Sequence, residues 1–568
     1  MRSCERRLLA TAVAIVAVAS AMTMVAVSGQ TTGSAQQACE ALATLRIMPE
    51  TIGLPTKGAD IKSARLVAAT PETKAPTRGN ALGVTLARPE YCEVKGEVVS
   101  IDPAAPPIRF QVNLPTEWNG KALQQGGGGF DGNVVTAIGA LPRAPDTTPY
   151  PITRGYATFG SDGGHDGNDG SFAVNQEALT NFAGAQLKKA HDVALALIKT
   201  RYGRAPRRTY FVGQSEGGRE GLTVAQRFPN DYDGVVVTAP AINYTNAMMR
   251  FVDVATALAR SGGFLTPPKV KAFGDAVMSQ CDMHDGIADG IVGNYLGCTF
   301  DASLLRCAGG ADTGDTCLSD AQLATLDATY RQTEWKDAAG KVIVRYPRML
   351  YGGGENQPGG MPAWITGRAP MPRPQPPGKA MNQQQLGLGT ASYYGNSALR
   401  YFIVKDPAFD TFEFDPKPYA KQIAAAVKLL ESNDPNLSAF QKHDGKLIML
   451  HNTADLAVSP MSTINYYNEV VKTLGKKAVD QFVRLYVVPG GDHGGGGDVP
   501  SKVDLLAMLD GWVEGGHAPA EDAVAQEFDA ERQVTRSKPL CMYPNYPRYV
   551  GQGDKNAASS YRCTPTGS

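Results

Sequence analysis

The chain of 568 residues has no surplus of charge: 55 Lys and Arg balance 55 Asp and Glu. A basic nucleic-acid surface and an acidic solvating tail are therefore not encoded in its composition. Its nine cysteines show no Cys-x-x-Cys spacing, which argues against a cysteine-held metal cluster. Beyond the first thirty residues, no apolar run approaches the roughly 20 residues that span a bilayer. No internal repeat is present, so a solenoid or propeller is excluded. Wholesale disorder is excluded too, because hydrophobic residues make up 43% and charged residues only 19%.

What is present begins with a targeting segment. Arg2, Arg6 and Arg7 precede an almost unbroken apolar run from Leu8 to Val27, and Val27-Ser28-Gly29 supplies small residues at a cleavage site. Residues 1–29 read as a secretory signal peptide, removed on export. Cys39 has no leucine three residues before it, so a lipid anchor is not expected, nor is stable membrane association after cleavage. Export leaves Cys39, Cys92, Cys281, Cys298, Cys307, Cys317, Cys541 and Cys563. An even number in an oxidising compartment implies disulfides. Chain order suggests local pairs, 39–92, 281–298, 307–317 and 541–563, although sequence permits other connectivities.

The length suggests roughly two to four domains. Strand-like runs at 107–114, 121–125, 155–160, 209–213 and 234–238 alternate with helical patterns, one of which carries Leu187, Ala190, Val193, Ala194, Leu197 and Ile198 on one face. That rhythm predicts an α/β fold, a mostly parallel sheet with helices on both faces. It stops near residue 243. Residues 243–440, rich in Gly, Pro and loops, read as an inserted domain, with helical pieces at 266–279 and 319–331. Strands at 446–451 and 483–488 and a helix at 501–512 then resume the pattern. The core is thus expected in two parts, 30–242 and 441–568, with the last forty residues irregular and stapled by cysteines.

Gly213-Gln214-Ser215-Glu216-Gly217 matches G-x-S-x-G between a strand and a helix, the setting in which a sharp turn lifts a serine hydroxyl above a sheet. Ser215 is the candidate nucleophile. In that fold the acid and then the base follow in chain order. His493 in GGDHG, after the 483–488 strand, is the candidate base, and Asp455 in HNTAD, after the 446–451 strand, the candidate acid. His451 is expected to pack beside the acid. His165 precedes Ser215 and falls out of order, and Asp492 adjoins His493 too closely to reach its Nδ1. The bare N–H groups of Gly126–Gly129 could hold an oxyanion together with the N–H of Glu216. The sequence leaves open which glycine donates; Gly128 is the expectation.

Residues 282–291 (DMHDGIADGI) place carboxylates of Asp282, Asp285 and Asp289 around glycines, a pattern that suits a hard cation. The carbonyls of Ile287 and Ile291 would add oxygens, and Cys281 and Cys298 could clamp the loop. Calcium is the expected ion, in a structural role; no organic cofactor is expected.

Together, the GGGG loop, GQSEGG, the CDxxDGxxDGxI loop, HNTAD, GGDHGGGG and the cysteine pattern resemble the tannase and feruloyl esterase family over most of the mature chain. The resemblance implies an α/β-hydrolase core, a lid insertion, a Ser215–Asp455–His493 triad, lid calcium and, at Trp364, an aromatic substrate contact. It implies a secreted serine hydrolase of feruloyl-, galloyl- or terephthaloyl-type esters, whose partner is a small aromatic ester. The alternative is a non-catalytic binding protein on the same scaffold. One departure stands out: where the family carries a cysteine just before the nucleophile and another just after the base, this chain has Gln214 and Gly494.

Overall fold

A computed structural model describes residues 30–74, 84–370, 372, 387–529 and 531–566. The expected signal segment lies outside them. Twelve strands precede the C-terminal region: β1 (Arg46–Ile47), β2 (Ala59–Val67), β3 (Tyr91–Val98), β4 (Ile108–Pro115), β5 (Lys121–Gln125), β6 (Ala157–Ser161), β7 (Arg208–Gln214), β8 (Gly234–Thr238), β9 (Thr333–Lys336), β10 (Val342–Tyr346), β11 (Lys446–Asn452) and β12 (Val483–Val488). Ten of them form one sheet, in the order β1-β2-β3-β4-β6-β5-β7-β8-β11-β12. From β6 to β12 neighbouring strands are parallel, while β1 to β4 form an antiparallel flank joined to β6. The antiparallel pair β2–β3 was not foreseen from the sequence.

The parallel strands are apolar on both faces, as a sheet covered on both sides requires. Alternate residues divide cleanly between two cores. Phe211, Val235, Val237, Leu447, Met449, Leu485 and Val487 pack with Leu222 and Val224 of the helix Glu216–Arg227. Tyr210, Val212, Val236, Ile448, Leu450, Tyr486 and Val488 pack with Leu505, Leu509 and Trp512 of the helix Leu505–Gly515. A period of two residues thus sends each side chain to one helical layer or the other. This is an α/β-hydrolase core.

Among the described residues, the chain from 239 to 445 adds no strand to the large sheet. It holds the β9–β10 hairpin and helices that include Tyr244–Ala259, Pro267–Cys281, Asp320–Tyr330, Thr390–Ala398 and Ala420–Leu430, built around a separate aromatic core. The expected limits, 243 and 440, fall just inside this segment.

The C-terminal expectation needs correction. The final residues are not irregular: β13 (Asp522–Phe528) pairs with β14 (Val534–Cys541), and β15 (Asn545–Tyr549) pairs with β16 (Tyr561–Pro565), both antiparallel. These ribbons bury few apolar side chains and leave Val524 and Val534 exposed, so their alternation is faint in sequence. All four disulfides follow chain order: Cys39–Cys92, Cys281–Cys298, Cys307–Cys317 and Cys541–Cys563.

Candidate active site

Ser215 sits between β7 and the helix Glu216–Arg227 with φ 61° and ψ −117°, a conformation that a side-chain-bearing residue rarely adopts. The turn is held from three sides. The Ser215 N–H donates to Thr238 O at 2.9 Å, and its carbonyl accepts from Arg219 N and Ala241 N, each at 3.0 Å. The flanking glycines are steric necessities. A Cβ on Gly213 would run into the backbone of Gly217, and one on Gly217 would lie 2.6 Å from Gly127 O.

The loops after β11 and β12 bring the acid and base to this serine. His493 Nε2 lies 2.9 Å from Ser215 Oγ, and His493 Nδ1 lies 2.7 Å from Asp455 Oδ2. The other oxygen of Asp455 accepts from the N–H groups of Ala457 and Val458 at 2.8 and 2.9 Å. Burial alone would raise this carboxyl, but the charge and hydrogen bond of His493, with help from His451, outweigh it and hold it well below the usual carboxylate range. An ionised Asp455 fixes the Nδ1–H tautomer of His493, leaving Nε2 to accept the serine proton. His451 packs beside the acid as expected, 3.3 Å from Asp455 Oδ2, with its Nδ1 on Thr463 Oγ1. Asp492 accepts from Gly496 N at 2.7 Å. His165 stacks on Phe172 and meets the carbonyl of Phe130.

Gln214 supplies what the family's cysteine would. Its Nε2 donates to the carbonyl of His493 at 2.9 Å, and the buried Arg143 donates to the same oxygen at 3.0 Å. The histidine loop is thus tied to the serine strand by hydrogen bonds instead of a covalent bridge. Nothing in the sequence marked Arg143, which lies 350 residues away.

The oxyanion expectation is corrected by one residue. The Gly128 N–H is committed to Asp131 Oδ1 at 2.7 Å, and the Gly127 N–H to Glu220 Oε2 at 3.0 Å. Gly129, at φ 68°, lines the cavity with Ser215 and Glu216. Its N–H and that of Glu216 make no hydrogen bond among the described residues. Among the described residues they are the two cavity-lining N–H groups left uncommitted in this turn. The buried carboxylates that consume the neighbouring N–H groups could not be placed from sequence.

The cavity over Ser215 is apolar, walled by Ala241, Tyr244, Met248, Phe251, Trp364, Tyr394 and Val458. Trp364 stands edge-on to the His493 ring, with centroids 4.9 Å apart. The inserted segment therefore contributes most of the wall, Trp364 included.

The acidic loop follows the helix Pro267–Cys281 and is tied down by Cys281–Cys298. Asp282 accepts from the N–H groups of Asp289 and Gly290, at 3.2 and 3.1 Å. Asp285 is fully buried with Oδ2 unpartnered, and burial raises its carboxyl to about 7. Asp289 Oδ1 is also unpartnered, while its Oδ2 takes Lys538 Nζ at 2.7 Å. Two buried carboxylate oxygens without partners fit a hard cation, since Lys538 offers one positive charge against three carboxylates. Ile287 and Ile291 lie in the same loop. Ile291 also packs against the histidine loop, where a Cβ on Gly490 would meet its side chain at 3.0 Å. Lys538, from β14, was not anticipated.

Comparison with known proteins shows the family and the class of reaction. The family model described as tannase and feruloyl esterase matches residues 92–564. An uncharacterised esterase of Agrobacterium fabrum is 34% identical over 542 residues, covering 92% of each chain. The mono(2-hydroxyethyl) terephthalate hydrolase of Piscinibacter sakaiensis is 30% identical, over 84% of this chain and 85% of its own. The crystal structure of feruloyl esterase B from Aspergillus oryzae is similar with a TM-score of 0.74 at 25% identity, covering 93% of this chain and 100% of the other. These relatives favour the enzyme over the non-catalytic alternative. The chain is a carboxylic-ester hydrolase and belongs to the tannase and feruloyl esterase family.

Proposed function

We propose that the protein is an exported serine esterase that cleaves aromatic esters through an acyl-enzyme. The observation that carries this reading is the unbroken hydrogen-bonded series Ser215–His493–Asp455 beside the two uncommitted N–H groups of Gly129 and Glu216. His493 Nε2 takes the Ser215 proton as Oγ attacks the ester carbonyl, and Asp455 stabilises the imidazolium. Gly129 and Glu216 bind the oxyanion. His493 then protonates the departing alkoxide, and the acyl group remains on Ser215. Water, deprotonated by the same histidine, releases the acid.

An aromatic acyl group is supported by the wall of Trp364, Phe251, Tyr244 and Tyr394. The names of the relatives, a terephthalate monoester hydrolase and a feruloyl esterase, point the same way. Export is supported by four disulfides and by the N-terminal signal pattern. Calcium, held by Asp282, Asp285 and Asp289 with the carbonyls of Ile287 and Ile291, would neutralise the acidic loop; it takes no part in bond cleavage. The segment 239–445 acts as the lid that sets specificity.

The test is a fluorophosphonate probe followed by a panel of feruloyl, galloyl and terephthaloyl esters, with released acid measured. Labelling at Ser215 and turnover of at least one aromatic ester above an aliphatic control is the expected result. A folded sample that takes no label would remove the serine mechanism.

A further inference from the structure

The Gly126–Gly129 loop rests on two carboxyl groups that the triad does not use. Glu220 lies one turn beyond Glu216 on the helix that Ser215 starts, and Asp131 ends the glycine loop. Their oxygens accept the N–H groups of Gly127 and Gly128, at 3.0 and 2.7 Å. They also explain why the loop is glycine: a Cβ on Gly126 would lie 2.6 Å from Glu220 Oε2, and one on Gly127 would overlap the Asp131 carboxylate. Asp131 itself is held at φ 52°. The direction of the Gly129 N–H therefore depends on where these two carboxyls sit.

Among the described residues, no side-chain cation forms an ion pair with Asp131 or Glu220. Asp131, Glu216 and Glu220 are buried, with carboxylate oxygens within 4.8 Å of one another. The one guanidinium beside them, Arg219, is spent on Glu216 through Nε at 2.7 and 2.9 Å and through Nη2. Its remaining N–H groups go to the carbonyls of Phe182, Ala183 and Leu430. The other titratable groups nearby are neutral near pH 7. Tyr244, Tyr394 and Tyr232 are all raised by burial, and His165, on the loop after β6, is lowered by burial to about 4. Gln186 is uncharged. Two buried carboxylates this near to each other, with no side-chain cation paired to either among the described residues, resist ionising together.

The hydrogen bonds say which of them keeps the proton. Both oxygens of Glu220 already accept, Oε1 from Gln186 Nε2 and Oε2 from Gly127. Asp131 has one oxygen engaged, by Gly128, and one left to carry hydrogen. We propose that Asp131 is held protonated against an ionised Glu220, and that this shared proton is the positioning device that keeps the Gly129 N–H aimed at Ser215. The proposal rests on the reading of Gly129 and Glu216 as oxyanion donors. Loss of the proton puts two like charges beneath the loop, drives the carboxyls apart and takes Gly127 and Gly128 with them. Burial first, and then the neighbouring carboxylates, push both groups up, Asp131 well above the ordinary carboxylate value. The loop is therefore intact while Asp131 keeps its proton and loosens on the alkaline side as that proton is lost.

The experiment is kcat and KM against pH on an aryl ester for wild type, Asp131→Asn and Glu220→Gln, with melting followed by circular dichroism. In Asp131→Asn the amide N–H replaces the shared proton permanently, and Oδ1 still accepts from Gly128. We expect kcat within about threefold of wild type at neutral pH and an alkaline fall moved up by at least about one pH unit. Glu220→Gln puts an NH₂ where an acceptor is needed, and should lower kcat by about 10²-fold with little change in KM. An Asp131→Asn profile superimposed on the wild-type profile overturns the proposal, and so does a Glu220→Gln enzyme as active as Asp131→Asn. If Glu220→Gln does not fold, the Asp131→Asn profile still decides. Absence of phosphonate label on wild-type Ser215 would instead sink the serine mechanism itself; a labelled wild type with an unmoved profile sinks only the shared proton.

Discussion

Two loops at the carboxyl ends of parallel strands each carry a buried aspartate, one bonded to His493 and one beneath the glycine loop, and the two are driven in opposite directions. Asp455, after β11, is 1% exposed; Asp131, after β5, is 6% exposed. Burial penalises the charged form of both. Asp455 meets two histidines and two backbone N–H groups, and is held far below the ordinary carboxylate value. Asp131 meets another carboxyl and is pushed well above it. Partners therefore decide which charge state burial enforces. One site needs a lasting negative charge to face an imidazolium, and the other needs a proton to hold backbone donors in place.

The largest effect should come from the residue both loops serve. Ser215→Ala should lower kcat by about 10⁴-fold or more, with residual rate from the oxyanion donors and binding. Circular dichroism should show the fold unchanged. A mutant that keeps more than about a tenth of the rate, under ~1.4 kcal/mol of barrier, would place the nucleophile elsewhere.

The same substitution at the two aspartates tests the contrast directly. Asp455→Asn should cost about 10³–10⁴-fold in kcat, because a neutral amide no longer fixes the His493 tautomer. Asp131→Asn should cost only about threefold. Equal losses would dissolve the distinction. Melting temperature against pH carries the same contrast with opposite signs. Asp455 is depressed, so its contribution is present above about pH 4 and is lost as pH falls through the folded value. Asp131 is raised, so its contribution is present below about pH 4 and is lost as pH rises through its raised folded value. Asp455→Asn should flatten the acid limb and Asp131→Asn the alkaline one.

Gln214 allows a smaller test of how rigidly the base must be held. Gln214→Ala removes one donor to the His493 carbonyl and should lower kcat by about tenfold, since Arg143 still holds that oxygen. Gln214→Cys with Gly494→Cys should oxidise spontaneously. Gly494 is not in the left-handed region, and a Cβ there meets only Asp492 Oδ1, at 3.4 Å. A stabilisation of ~2–4 kcal/mol is the usual yield of such a bridge. Free thiols at both positions in folded, oxidised protein would show that these residues do not lie side by side.

The acidic loop sharpens the comparison by offering a third kind of buried carboxyl. Asp285 has no histidine partner, and burial first, with the charges of Asp289 and Asp282 added, leaves it raised despite Lys538. A calcium ion would do for it what His493 does for Asp455. Chelation with EGTA should lower the melting temperature by a few degrees, and Asp285→Ala should abolish that sensitivity. Because Ile291 packs on the histidine loop, kcat should fall modestly with it. An unchanged melting temperature, with no calcium by elemental analysis, would refute the ion.

The local features of this protein were legible because each is enforced within a few residues. Apolar runs such as GVVVT at 234–238 could only be strands buried on both faces. Gly213 and Gly217 announced the turn at Ser215, since any side chain there strikes the opposing backbone. The placement of Asp455 and His493 beside Ser215 was readable because the order of strands in this core dictates which loops face the serine. The features that sequence left open all depend on side chains meeting across long stretches of chain. Gly128 and Gly129 are alike as letters; Asp131 claims one N–H and leaves the other. Gln214 looked like the loss of a bridge until its amide was seen on a carbonyl 279 residues away. Lys538 reached Asp289 from a C-terminal hairpin whose faint alternation hid it. Periodicity and turn chemistry are local properties of the chain. The charge state of a buried carboxyl depends on which partners tertiary folding brings to it, and only the assembled structure decided that.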